Sequence, residues 1–247
     1  MWLVICDDGD AAAEWMYAGL RKRSSDSVVL LEGSTLARVE RWDHEIGHGR
    51  AACALSLHDG QRVCTDAVTG TVNRLRVLPF ADAQRVSAED REYGLQEWNA
   101  FFISWLESLP SPVYNAVSPQ GLSGKWRTSA EWAILAARAG LLVDDALLDA
   151  SRIAPVAEDD TPNAVSFIVA AGAVFGRAGY AALSAGCRRL ASMAGCAILG
   201  VTFRLDQRGR ARFHSATPHP DVRHGGESLL DAVAAGLRQE RGKGLAS

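Results

Sequence analysis

Residues 195–220 read GCAILGVTFRLDQRGRARFHSATPHP. Two β-prone runs, 197–203 and 211–214, flank a polar stretch around Asp206 and Gly209, so the segment predicts a β-hairpin. Asp206 is the only carboxylate within it and falls in the turn. Hydroxyls stand at Thr202, Ser215 and Thr217.

Working outward, residues 164–175 are strand-like and 181–194 helical, and 227–241 close the chain as a helix. Residues 144–163 are acidic and contain proline, as a linker would. At the other end, 2–6 are apolar and β-prone. Asp7, Asp8, Gly9 and Asp10 make a turn able to cap a helix over 11–23, and 27–32 form a second strand. This β-α-β opening predicts a doubly wound α/β layer. Residues 39–46 alternate loosely. His58-Asp59-Gly60 between the runs 52–57 and 61–66 is a hairpin signal, because turn residues there must tolerate positive φ. Residues 68–75 return to a strand. The longest helix spans 87–107, with Ser87 as cap and Leu95, Trp98, Phe102, Trp105 and Leu106 on its apolar face. A short strand at 113–115 and a helix over 129–139, ended by Gly140, follow.

Several of these segments together resemble ATP-grasp proteins of the glutathione-synthetase and ribosomal-protein-modification type, including peptide-maturation ligases. The carriers are TGTVNRL (69–75), YGLQEWNAFFISWLESLPSPVYNA (93–116), SAEWAILAARAGL (129–141), FIVAAGAVFG (167–176), CRRLASMAGCAILGVTF (187–203) and SATPHPDVRHGG (215–226). The resemblance implies an α/β fold with a pre-ATP-grasp-like doubly wound lobe over 1–143, a linker over 144–163, and a reduced ATP-grasp C-terminal lobe over 164–247. It also places Thr202, Ser215 and Thr217 where the family carries acidic and amide ligands for Mg²⁺. The family's lysine-bearing cover over adenine and phosphate belongs between residues 143 and 165, and no lysine stands there. The chain has 26 basic residues, of which only Lys22, Lys125 and Lys243 are lysines.

Other motifs are weaker. His44-Glu45-Ile46-Gly47-His48 matches HExxH, which grips Zn²⁺ only when both histidines share one helical face. Gly47 and Gly49 and the extended surroundings oppose a helix, and on a strand the two rings would stand ~13 Å apart. Asp8-Gly9-Asp10 has the form of a DxD nucleophile loop, against which stands a plain helix cap. Gly121–Arg127 is a Gly-containing basic loop. Its amides, with Lys125 and Arg127, make it the leading anion-site candidate. Asn73, Arg74 and Asn115 lie at neighbouring strand ends, where open α/β sheets bind ligands. Arg204, with Arg177, Arg188 and Arg212, is a further phosphate-clamp candidate. His214, His219 and Asp221 are weak metal candidates in an extended, proline-containing stretch.

Composition bounds the rest. At 48% hydrophobic the chain has ample material for a core. No apolar run approaches ~20 residues, which predicts no membrane span. The N-terminus lacks a basic region and cleavage site and reads as a strand rather than a signal peptide. A formal charge of −3 gives no global field for nucleic acid or an anionic membrane. Five scattered cysteines without a CxxC pair read as free thiols in a reducing cytoplasm.

Together these readings predict a degenerate ATP-grasp-like protein. It acts as a binding or scaffold subunit for a peptide or protein partner in a modification pathway, with no cofactor, and as a possible homodimer through apolar surface left bare by the missing cover. The rival is an ATP- and Mg²⁺-dependent carboxylate–amine ligase with Lys125, Arg127 and Arg204 on the phosphates. A zinc hydrolase through HEIGH is a third reading.

Overall fold

β1 (Trp2–Cys6) is buried at every position, as a strand covered on both faces requires. In this computed structural model, residues 1–47, 50–79, 88–143, 164–176 and 180–239 are described. β1 leads into α1 (Ala11–Arg21), and β2 (Val28–Glu32) returns parallel to it. A short helix, α2 (Gly33–Ala37), follows and was not expected from the sequence. β3 (Arg41–Gly47), β4 (Arg50–Ser56) and β5 (Arg62–Cys64) form an antiparallel sheet in that order. The β4–β5 turn is His58-Asp59-Gly60 as expected, with Gly60 at φ 81°. β6 (Gly70–Arg74) then pairs parallel with β1 on the side away from β2. α3 (Ala88–Ser108) leads on to β7 (Val113–Tyr114), giving the order β2-β1-β6-β7. Ser87, the expected cap of α3, lies outside the described residues.

α3 drives Phe102, Trp105 and Leu106 into one cluster with Leu3, Ile5, Val29, Leu31 and Leu55. Trp42 of β3 meets Trp105 edge-on at 5.0 Å between ring centroids and Phe101 at 5.2 Å. His44 sits on that same strand with Nε2 2.9 Å from the Ser104 hydroxyl. The segment 41–47 is therefore extended, and the helical geometry that HExxH needs is absent there. His48 lies outside the described residues.

The second sheet begins after α4 (Ser129–Arg138), whose N-cap Thr128 makes a reciprocal capping box with Glu131. β8 (Ala164–Ala170) and β9 (Ala173–Gly176) replace the single strand expected over 164–175. Ala171 and Gly172, at φ 49° and 75°, fold the chain back on itself in a two-residue turn. α5 (Ala181–Ala194) ends at left-handed Gly195. β10 (Ile198–Leu205) and β11 (Ala211–Thr217) are the expected hairpin, each longer than read from sequence, and the antiparallel order is β11-β10-β8-β9. Val165, Phe167 and Val169 of β8, Leu199, Val201 and Phe203 of β10, and Phe213 of β11 face Trp132 and Ala136 of α4 and Cys187 and Leu190 of α5. The period-2 alternation then turns Ser166, Thr202 and Arg204 to the opposite face.

The β10–β11 register slips between Thr202 and Phe203: Thr202 pairs Ser215, but Phe203 pairs Phe213, leaving His214 as an extra residue. Without that bulge Phe213 would oppose Arg204 and point away from the core. With it, Phe213 is buried and Arg212 opposes Arg204.

α6 (Gly226–Gln239) closes the described chain. Contacts gather in two compact units, one of Met1–Gly124 with the chain from Ala234 onward, the other of Lys125–Val233. The contacts divide at 124 and 233, and Trp132 and Ala136 of α4, with the following Ala139, lie in the second core. The last turns of α6 belong with the first unit. Leu237 approaches Gly70 so closely that a Cβ there would stand 2.7 Å from its Cδ2, and Arg238 stacks on Trp2. The 144–163 linker lies outside the described residues. No helix among the described residues is long and apolar enough to cross a membrane.

Candidate functional site

In the first unit, strand order reverses between β1 and β6, the place where open α/β sheets form a ligand crevice. A cavity of about 440 Å³ lies at these carboxyl ends, lined by Asp7, Asp8, Ser34, Arg38, Val77 and Pro79. The sequence candidates beside it are already engaged. Arg74 is buried and donates from Nε to Asp10 Oδ2 at 2.8 Å and from Nη2 to Oδ1 at 3.3 Å. Asp10 Oδ1 also accepts the amides of Ala12 and Ala13, capping α1. Burial alone would push the Asp10 carboxyl up. The Arg74 guanidinium and those amides outweigh it and hold the group below its usual value. This resolves Asp8-Gly9-Asp10 as a cap with a buried ion pair. Asp7 accepts the amides of Arg76 and Val77 and the Arg76 guanidinium, and Asp8 accepts the amide of Ser34.

Asn73 is buried and bridges two loops: Nδ2 donates to the Leu122 carbonyl at 2.7 Å, and Oδ1 accepts the Leu75 amide. Asn115 is buried at φ 59°, a left-handed conformation that asparagine tolerates. The loop before Lys125 is likewise tied inward. Ser123 donates to the Leu75 carbonyl, the Gly124 amide to Ala116, and the Gly121 amide to Ser118. Two of the glycine amides expected to cradle an anion are thus paired within the chain.

In the second unit, Arg127 reaches the end of α5. Its Nη2 donates to the Ala194 carbonyl at 2.9 Å, and its guanidinium stacks 5.0 Å from the Trp132 ring. A cation there caps the helix C-terminus. Arg127 and Arg204 therefore act on different sides of the sheet, and the two do not converge on one phosphate. Replacing Arg127 with Ala is expected to cost about 1.5–3 kcal/mol of stability, the range for a charge-assisted hydrogen bond, read by urea denaturation. Lys125, half-buried, presents its carbonyl to Arg127 Nη1 at 3.3 Å.

The hairpin positions that the resemblance gives to metal ligands carry out other tasks. Thr202 Oγ1 lies 3.1 Å from Ser166 Oγ across β8, and Ser215 is its register partner on β11. Thr217 Oγ1 accepts the His219 amide. Asp206 stays in the turn, where the Arg210 amide, then the Arg208 amide and the Arg210 guanidinium, bring its carboxyl down to about 2. Asp221 caps a 3-10 turn and is ion-paired with Arg223, which holds it below its usual value. Among the described residues no group of three or more His, Cys, Asp or Glu side chains is placed to hold a metal, His214, His219 and Asp221 included. Ser166 and Thr202 share one hydrogen bond, and three neutral hydroxyls supply none of the carboxylate oxygen that Mg²⁺ usually takes, so the row fits that ion poorly. Arg204 is exposed on this face and opposes Arg212. The sequence missed Ser166, because its place beside Thr202 depends on β8 register.

All five cysteines are free, and burial raises Cys6, Cys53 and Cys187 to about 12. These buried thiols are inert packing groups.

A parallel βαβ lobe and an antiparallel four-stranded lobe of this topology define the ATP-grasp ligase fold. Solved structures with that fold include an RiPP-associated ATP-grasp ligase from Chryseobacterium gregarium, in complex with ADP and a leader and core peptide. Its TM-score is 0.72 at 9% identity, with 97% of this chain and 96% of that one covered. The macrocyclase MdnC from Microcystis aeruginosa MRC, bound with precursor peptide MdnA, gives 0.71 at 10% identity, covering 97% and 99%. The ATP-grasp ligase PsnB, complexed with a phosphomimetic minimal precursor, Mg and ADP, gives 0.64 at 17%, covering 96% and 98%. No family model and no curated protein matches the sequence.

Proposed function

We propose that this chain is a degenerate ATP-grasp-fold protein that serves as a binding or scaffold subunit in peptide modification, without ligase chemistry of its own. The observation that carries this reading is the hydroxyl row Ser166–Thr202–Ser215, with Asp206 held in the turn by Arg210. A nucleotide triphosphate needs charge compensation from metal, cations or helix N-termini. The hairpin has no carboxylate facing that row to recruit the metal, and Arg127 is committed to α5. A peptide partner is favoured because neighbours of the fold carry leader, core or precursor peptides. Its free thiols suit the cytoplasm.

Isothermal titration with ATP·Mg²⁺ tests the reading. No heat of binding at about 0.1 mM protein is expected, since micromolar affinity needs about −8 kcal/mol. Micromolar binding would instead favour the carboxylate–amine ligase, with ATP and Mg²⁺ as cofactors.

A further inference from the structure

The groups around the cavity at the carboxyl ends of the parallel sheet are not all occupied in holding the fold. Asp7 is, through the Arg76 guanidinium and the amides of Arg76 and Val77. Asp8 is only half used. Its Oδ1 accepts the Ser34 amide at 2.9 Å, while Oδ2 lies over Gly33, 3.7 Å from where a Cβ on that residue would stand. Arg38 follows Ser34 by one helical turn and donates from Nε to the Ser34 carbonyl at 3.2 Å, so the two Nη groups of its fork point onward. Neither Asp8 nor Arg38 has an ion-pair partner among the described residues, and the two do not pair with each other. The rest of the wall is apolar: Ala37, Val77, Leu78 and Pro79 line the same cavity of about 440 Å³. Val77 is 68% exposed, an apolar side chain left in solvent beside two unpaired charges of opposite sign.

We propose that this cavity binds a small zwitterion with an apolar side chain, its ammonium on Asp8, its carboxylate on Arg38 and its side chain against Val77 and Pro79. The fixed charges select that chemistry. A polyanion such as a triphosphate would meet the carboxylates of Asp7 and Asp8, and a polycation would meet Arg38 and Arg76. A molecule with one charge of each sign satisfies both unpaired groups and leaves no net field behind. The planar fork of an arginine suits a carboxylate in particular. A few placed polar groups on an otherwise apolar wall, in a cavity of this volume, are the usual make-up of a small-molecule site. Free amino acids and dipeptides both carry the required groups. The site lies in the first unit, away from the hydroxyl row of the second, and does not depend on the scaffold reading. Single exposed ion pairs contribute little, so affinity comes from both charges and the apolar contact together.

Titration of isotope-labelled protein with L-leucine and with L-leucyl-L-leucine, followed through backbone amide chemical shifts, tests the assignment. Saturable shifts at Asp8, Ser34, Arg38 and Val77 are expected, with a Kd of ~1 mM or tighter, the scale for so small a ligand. The tighter of the two fixes the length of the ligand. N-acetyl-L-leucine lacks the ammonium and L-leucine methyl ester lacks the carboxylate, and each should bind at least about tenfold more weakly than L-leucine. Asp8→Asn keeps an acceptor for the Ser34 amide, and Arg38→Gln keeps a side-chain donor. Each should weaken L-leucine by about tenfold. The pattern guards against a folding defect: Asp8→Asn should no longer distinguish L-leucine from its N-acetyl derivative, and Arg38→Gln should no longer distinguish it from its methyl ester. No saturable shift with either ligand up to ~20 mM, well above that Kd, overturns the proposal and leaves the proposed function standing. So does binding that both substitutions leave unchanged, or equal binding of L-leucine and both derivatives. ATP·Mg²⁺ that shifts these same amides and displaces L-leucine makes the cavity a nucleotide site and overturns both.

Discussion

Arg74→Ala is expected to destabilise the protein by about 3–5 kcal/mol, the cost of leaving one buried charge without its partner. The side chains of Arg74 and Asp10 are only 5% and 10% exposed, and their pair joins the end of β6 to the start of α1. Removing the guanidinium strands the Asp10 carboxylate with two amides and little water. Urea denaturation followed by tryptophan fluorescence reads the loss. The pH dependence carries a signature. In the unaltered chain Asp10 is depressed, so its stabilisation is present above the unfolded value near 3.8 and is lost as pH falls through the lower folded value. In the variant, burial is no longer offset by Arg74 and the Asp10 pKa rises. The stability gap between the two proteins should therefore narrow as pH falls from the variant's Asp10 value, above about 3.8, to the lowered value of the unaltered chain. A gap that stays constant with pH would mean the pair is not the source of the loss.

Phe203→Ala is expected to cost a similar amount, about 3–5 kcal/mol for a fully buried ring. Phe203 has no exposed surface, and it meets Phe167 and Phe213 near-perpendicularly at 5.8 and 6.4 Å between centroids. The informative control is the next residue. Arg204→Ala, on the outward face, should change stability by no more than about 0.5 kcal/mol. A large effect at 203 beside a negligible one at 204 confirms which side of the hairpin is core. Equal effects would place the register one residue out.

The local half of this architecture was legible in the sequence. Strand and helix periods place β1, α1, β2, α4, α5 and the β10–β11 hairpin within a few residues, because each carries its own apolar face and caps. The two-strand reality of 164–176 was hidden, since an Ala-Gly turn between apolar runs has none of the polar signals of most hairpins. α2 is too short to show a period. The site residues were read by type, but their partners are remote in sequence. Asp10 is 64 residues from Arg74 and Ala194 is 67 from Arg127, so nothing local announces that these cations are engaged. The Arg204–Arg212 pairing depends on a slip of one residue that no propensity encodes.

The one-residue bulge at His214 behaves as a phase shifter between the two ends of the hairpin. Lengthening or shortening the tip between Asp206 and Arg210 only alters a solvent-exposed bend. Adding one residue between Phe203 and the bend would exchange inside for outside along the remainder of β10, burying a guanidinium where a side chain of Leu205 now rests. Tolerance to insertions along this ribbon should therefore be sharply asymmetric, permissive at its crest and forbidding a few residues below it.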